Sequence, residues 1–250
     1  MNTNYLVYDF DGVLCNSTLE IMITSYYAYC KYKSIEVPSN YLQNTIPKKY
    51  RDTFIKYRPS TRNAKDFYIL WDMIFNEKKI NVSVRLSEQW KINLNIMDSF
   101  RDLFYKERIA WRNIDSAGWL DKNPLYKGIK KTLLSNTIKE SYFIVSAKDS
   151  DSISTILHHN GIEIERNKIF GSENNKDKDI LFKELMKTNQ IKPNNLFFID
   201  DNLTNLINIK KLGVNSFFAT WGYNYKSEMQ ISEKKGISNM TLNDFLSFCP

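Results

Sequence analysis

The stretch Tyr5-Leu-Val-Tyr-Asp9-Phe-Asp11-Gly-Val-Leu-Cys-Asn-Ser17 constrains this chain more than any other. Its apolar, β-forming opening reads as a short buried strand. That strand runs out into two carboxylates, Asp9 and Asp11, with Gly12 opening a turn behind them. Alternate strand residues point to opposite faces, so the two acids share a face only where the chain leaves regular extension. A turn containing glycine permits that departure. Ser17-Thr-Leu-Glu20 matches a capping box, which predicts a helix from that point. Two acids gathered at the end of a buried strand repel one another unless a cation or a chemical task offsets the cost. The pattern points to a magnesium-dependent nucleophile and acid/base pair, with an ordinary acidic strand-to-helix turn as the plainer alternative.

With 250 residues, the chain suits one large domain or a core domain carrying a smaller insert. Hydrophobic residues at 42% and aromatics at 14% supply a sizeable core and exclude a disordered chain. No apolar run approaches the length of a membrane span, and the Met-Asn-Thr-Asn start lacks a signal-peptide pattern. The cysteines, Cys15, Cys30 and Cys249, are odd in number and lie in no paired spacing, which fits reduced thiols in a cytoplasmic protein. A net charge of +7 favours an anionic partner. The lysines are scattered, with no dense basic block or nucleic-acid motif, so a small phosphorylated metabolite is expected rather than nucleic acid or a membrane. Oligomeric state is not legible here.

The periodicity predicts helices over 19–32, 48–57, 64–75 and 84–112, broken at Pro38, Pro47 and Pro59, with no convincing strand between. From Pro124 the pattern alternates. Helices are predicted over 126–137, 149–160, 179–188 and 202–212, and strands over 141–146, 169–170, 196–200 and 214–219. Such alternation implies parallel strands joined by right-handed helical crossovers. The expected architecture is an α/β, Rossmann-like doubly wound parallel sheet, formed by residues 1–17 and 122–250. An all-helical cap domain, residues 18–121, is inserted after the first strand. In open α/β sheets the ligand crevice lies beyond the carboxyl ends of the strands. Asp9 and Asp11, Ser146-Ala147-Lys148, and Asp200-Asp201 all follow predicted strands, so a parallel sheet would gather them at one edge.

Together these residues resemble the haloacid dehalogenase superfamily, in the phosphoglycolate-phosphatase-like branch with a helical cap after the first motif. The likeness spans the chain: Asp9-Phe-Asp11-Gly-Val-Leu, Ser146 after a strand, a lysine before a later helix, and Asp200-Asp201. Pro124-Leu-Tyr-Lys-Gly128 is similar to the segment leading back from the cap, and Trp221-Gly222 to a pair found after the last strand. The resemblance implies attack by Asp9 on a phosphoryl group, giving an aspartyl phosphate. It implies Mg²⁺ held by Asp9, the backbone carbonyl of Asp11 and Asp201, with Asp200 as a neighbouring or water-mediated contributor. Asp11 would protonate the leaving oxygen and then activate water, Ser146 would bind a phosphoryl oxygen, and a lysine would offset developing charge. The backbone N–H groups after Asp9 and after Ser146, at Ala147, would add donors.

Lys178, nearest the helix, is the preferred phosphate-binding lysine, and Lys176 is its alternative. Asn205 stands where some relatives carry an acid, and is expected to hydrogen-bond a metal-bound water. Asn16 and Ser17 fit helix capping or substrate contact. Lys148 fits either an anion contact or a solvated loop. His158 and His159 read as surface or packing residues, and Cys15 as a packing thiol near the site. Lys48, Lys49, Arg51, Arg58 and Arg62 read as a charged helix face, or else a reach toward an anionic leaving group. The expected activity is Mg²⁺-dependent hydrolysis of a small phosphate monoester. Alternatives are a phosphomutase, a phosphonate hydrolase using Lys48 or Lys49 as a Schiff base, or a non-catalytic binding protein on this fold.

Overall fold

The computed structural model describes residues 4–38, 40–81, 86, 94–135, 142–171 and 176–248. Parts of the helices expected over 84–112 and 126–137 therefore lie outside the described residues, as do Ser141 and Cys249. Along the first half of the chain run β1 (Tyr5–Tyr8), α1 (Thr18–Tyr32), α2 (Lys48–Tyr57), α3 (Ala64–Phe75), α4 (Leu94–Ile114) and α5 (Ser116–Asp121). Then follow α6 (Ile129–Leu133), β2 (Tyr142–Val145), α7 (Ser150–His159), β3 (Ile169–Phe170), α8 (Lys178–Asn189) and β4 (Leu196–Asp200). The chain closes with α9 (Leu203–Lys210), β5 (Asn215–Ala219), α10 (Lys226–Lys234), β6 (Ser238–Met240) and α11 (Leu242–Ser247). It divides into two compact units, one of Met1–Asn16 with Pro124–Pro250 and one of Ser17–Asn123.

The first unit is a Rossmann-like α/β domain. Its six strands form one sheet in the order β3-β2-β1-β4-β5-β6, and every pairing is parallel. Parallel sheets are covered on both faces, and the inner strands obey that rule. Leu6, Val7 and Tyr8 are buried, as are Phe198, Ile199 and Phe218. One core layer packs Val7, Val145, Phe198 and Phe218 against Leu181 and Phe182 of α8 and Leu206 and Ile209 of α9. Burying a side chain of that kind contributes about 1.5–3 kcal/mol. From β1 the chain moves outward to β2 and β3, then crosses to β4, β5 and β6. Its direction therefore reverses between β1 and β4, and ligands of doubly wound sheets bind at such a switch point.

Two local departures have clear causes. The helix expected from residue 126 begins only at Ile129, because Gly128 takes a positive φ of 92° that no helix interior accepts. Strand β6 lacked an apolar signal, since Ser238-Asn-Met is short and polar, as edge strands tend to be.

The second unit is helical, with no strand among its described residues. Its centre, α1, is buried on nearly every side, from Ile21 through Cys30. Rings gather around it: Trp71 stands 5.2 Å from Tyr26 and 4.9 Å from Phe54, and Tyr68 stands 5.5 Å from Phe100. The buried Trp71 indole N–H donates to Ser25 Oγ at 2.8 Å, so the polar end of that side chain is paired.

The capping box does not form. Helix α1 starts at Thr18 as expected, but the Ser17 side chain makes no capping bond. Glu20 points into the core instead, where Arg108 grips it through Nε at 2.9 Å and Nη2 at 3.0 Å. Thr24 Oγ1 also donates to Glu20 Oε1, at 2.9 Å. A bidentate buried pair outcompetes one backbone cap.

Candidate active site

The register of the sheet builds the site. Tyr8 lies opposite Ile199, so the next residues, Asp9 and Asp200, sit side by side at the carboxyl ends of β1 and β4. Neighbouring strands are about 4.8 Å apart, so two acids at one level must share their surroundings. Asp201 follows directly. Carboxylate oxygens of Asp9, Asp200 and Asp201 all fall within 4.8 Å of one another, and all three residues are buried.

The Asp201 carboxylate occupies a slot that only glycine leaves open. A Cβ on Gly12 would lie 2.2 Å from Asp201 Oδ2, and one on Gly222 would lie 2.3 Å from Asp201 Cβ. Gly12 also has a φ of 91°, which few side chains tolerate. The backbone N–H of Tyr223 donates to Asp201 Oδ2 from the loop after β5. That loop is tied to the turn after β1 by the Trp221 indole, which donates to the Val13 carbonyl at 3.1 Å. The pair Trp221-Gly222 is visible in the sequence, but only the fold brings Gly222 against Asp201.

Lys178 opens α8 and reaches into the acids. Its Nζ lies 2.7 Å from Asp9 Oδ2 and 2.7 Å from Asp200 Oδ2. Lys176 turns to Glu184 at 2.5 Å, so of the two lysines Lys178 is the one at the cluster. Asp200 is further held by the Asn202 N–H at 2.7 Å and by Asn205 Nδ2 at 3.0 Å. Asn205 thus orients an acid directly, where the sequence suggested contact with a metal-bound water. Burial pushes the Asp9 carboxyl up to about 6; Lys178 pulls against that rise, Asp200 adds to it, and the Ser146 hydroxyl donates to Asp9. For Lys178, burial works to lower its affinity for the proton, yet Asp200 and Asp9 together hold it above the ordinary lysine value.

Ser146 leaves β2 at this edge and is buried, whereas Ala147 is exposed at the tip of the turn. Asp11 stands apart from the three clustered acids. Its Oδ1 is 3.2 Å from the Nζ of Lys148, whose side chain is 0% exposed. Lys148 is therefore no solvated loop lysine. Its burial is a tertiary property that spacing could not reveal.

Other candidates separate from this edge. Asn16 is exposed, and its Oδ1 lies 3.5 Å from the Tyr223 hydroxyl. Cys15 is a buried thiol. His158 is exposed and 2.7 Å from Glu163. In the helical unit the basic residues serve different ends. Lys48 and Lys49 are exposed, and Lys49 pairs with Glu77 at 2.6 Å, which raises its hold on the proton. Arg51 bonds Asn44, while Arg58 is buried, donates to Thr61 Oγ1 at 2.7 Å and lies over the Phe67 ring. Arg58 is thus part of the packing and not of a charged face.

Chemically, the edge offers one close knot of hard oxygen donors, a carboxylate with a buried lysine against it, and a second carboxylate with its own lysine. Oxygen donors of this kind suit magnesium or calcium rather than softer metals.

A family model described as "Haloacid dehalogenase-like hydrolase" matches residues 6–219. No curated protein matches the chain. Among solved structures, the chain is similar to a predicted phosphatase from Clostridium acetobutylicum, with 17% identity, TM-score 0.63, and coverage of 99% of this chain and 98% of that one. A predicted phosphoglycolate phosphatase from Haemophilus somnus gives 16% identity, TM-score 0.63, and the same coverage of 99% and 98%. A haloacid dehalogenase-like hydrolase from Streptococcus pneumoniae gives 14% identity, TM-score 0.61, and coverage of 97% and 95%. At these identities the likeness to solved structures speaks to the fold.

Proposed function

Because the chain belongs to the haloacid dehalogenase-like hydrolase family, we propose that it hydrolyses a small phosphate monoester with a divalent cation, magnesium by donor type. The observation that carries this reading is the meeting of Asp9, Asp200 and Asp201 at the switch point of the sheet, with Lys178 against Asp9 and Asp200. Three buried acids this close together, with Lys178 against two of them, hold more negative charge than folding alone would favour. A cation site accounts for the excess.

Asp9, Asp201 and the backbone carbonyl of Asp11 would hold the ion, with Asp200 contributing directly or through water. When bound, it supplies the positive charge that lets a carboxylate approach an anionic phosphoryl group. Asp9 then attacks phosphorus and becomes an aspartyl phosphate. Ser146 and the N–H of Ala147 bind phosphoryl oxygens, and Lys178 offsets charge that develops on them. Asp11 gives a proton to the leaving oxygen and later takes one from the water that frees the enzyme. The helical unit, Ser17–Asn123, is the proposed cap that selects the leaving group. Neighbours described as phosphatases support the monoester as substrate class.

The purified protein should release inorganic phosphate from 4-nitrophenyl phosphate with Mg²⁺ and stop when the ion is chelated. Asp9→Asn should cut that release by about three orders of magnitude or more while leaving the fold intact. Undiminished turnover by this variant would remove Asp9 as the nucleophile.

A further inference from the structure

We propose that Lys148 is a positioning residue that holds Oδ1 of Asp11 and so aims the proton-bearing Oδ2 of its carboxyl group at the leaving oxygen; this rests on the phosphohydrolase reading above. An ammonium excluded from water is costly, and proteins keep one only where a partner is worth that cost. The Lys148 side chain is 0% exposed, and its Nζ is 3.2 Å from Asp11 Oδ1. The two residues come from different strand ends, 137 positions apart in the chain.

The turn that carries Lys148 is held on its far side. Gly171, just past β3, donates its N–H to Ser150 Oγ at 3.0 Å. A Cβ at Gly171 would lie 2.6 Å from the Ser150 nitrogen and 2.9 Å from the Lys148 carbonyl oxygen, so backbone presses on backbone there. On the near side the Lys148 N–H reaches Ser146 Oγ at 3.3 Å. Asp149 caps α7 through Ser152 N at 2.8 Å, which fixes where the helix begins. Lys148 is thus set on a rigid corner between the serine and the helix. Asp11, by contrast, lies in a turn and is partly exposed, with 17% of its side chain accessible. The buried lysine sets the direction of the more exposed acid.

In the first chemical step the bond from Asp9 to phosphorus forms and the ester P–O bond breaks. Its electron pair stays on the leaving oxygen, which takes the proton carried on Oδ2 of the Asp11 carboxyl group while Oδ1 accepts from Lys148 Nζ. A leaving group that is already a good one needs that proton little; a poor one needs it fully. Loss of aim at Asp11 should therefore fall unevenly on substrates.

The test compares kcat/KM of the full-length wild type, Lys148→Met and Lys148→Arg on 4-nitrophenyl phosphate and on unsubstituted phenyl phosphate, with Mg²⁺. Lys148→Met should lose at least about tenfold more on phenyl phosphate than on the nitrophenyl ester, and Lys148→Arg should recover part of that difference. An equal loss on both esters, or none, overturns the proposal while leaving the phosphohydrolase reading in place. Wild-type protein inactive on both esters overturns both. If Lys148→Met does not fold, Lys148→Gln carries the same comparison.

Discussion

Each unit buries an ionic cluster, and the two clusters are built on opposite principles. In the helical unit, Glu20 and Arg108 are 0% and 3% exposed in their side chains, and they meet as one negative against one positive group. The carboxylate is gripped by both arms of the guanidinium and by Thr24, so charge and hydrogen bonds are matched. In the α/β unit, Asp9, Asp200 and Asp201 are buried together, and the Lys178 ammonium lies against Asp9 and Asp200. Matched burial ties helices together. Surplus burial of one sign costs stability and is kept where chemistry needs it. Burial alone does not distinguish a brace from a site; the balance of charge does.

The comparison breaks most visibly at the brace. Arg108→Met should strand the Glu20 carboxylate and destabilise the protein by about 3–5 kcal/mol in denaturant titrations. The double replacement Glu20→Met with Arg108→Met should recover much of that loss, since matched apolar side chains leave no buried charge behind. A smaller effect separates the acids of the site. The folded Asp9 carboxyl titrates near 6 against an ordinary 3.8, because burial disfavours its charged form. Folded protein therefore binds this proton more tightly than unfolded protein does. The group opposes folding in full above about 6 and ceases to do so below 3.8. Without divalent cation, Asp9→Asn should thus be more stable than wild type near neutrality, the gap closing as pH falls to about 4. The smallest effect belongs to a pair that is neither brace nor site. Lys49 and Glu77 are 71% and 69% exposed in their side chains, and Lys49→Ala should leave the Tm unchanged.

Much of this was legible in the amino-acid order. The run of β-formers before Asp9 and the run before Asp200 give adjacent parallel strands, and strand alternation places their ends at one edge. The preference for Lys178 over Lys176 followed from nearness to a helix start, and Lys178 is the first residue of α8. What escaped was long-range. Ser17-Thr-Leu-Glu20 has every local mark of a capping box, but Arg108, 88 residues away, takes the glutamate. Lys148 could not be told from a loop lysine, because its burial depends on Gly171 and on Asp11. Asn205 looked like a metal-water contact until the turn of α9 brought its amide to Asp200. Local patterns report what a segment can do. A competing partner elsewhere in the chain decides what it does.

The glycine slot around Asp201 makes the place of that carboxylate sensitive to one methyl group. Gly222 has no unusual backbone angle to protect, so alanine fits its conformation, yet the added carbon would press on Asp201 and stand 2.5 Å from the Gly12 carbonyl. Every acid and every lysine would remain in the chain while the carboxylate was shouldered from its place. A protein altered in that way keeps its full charge, which no removal of an aspartate does.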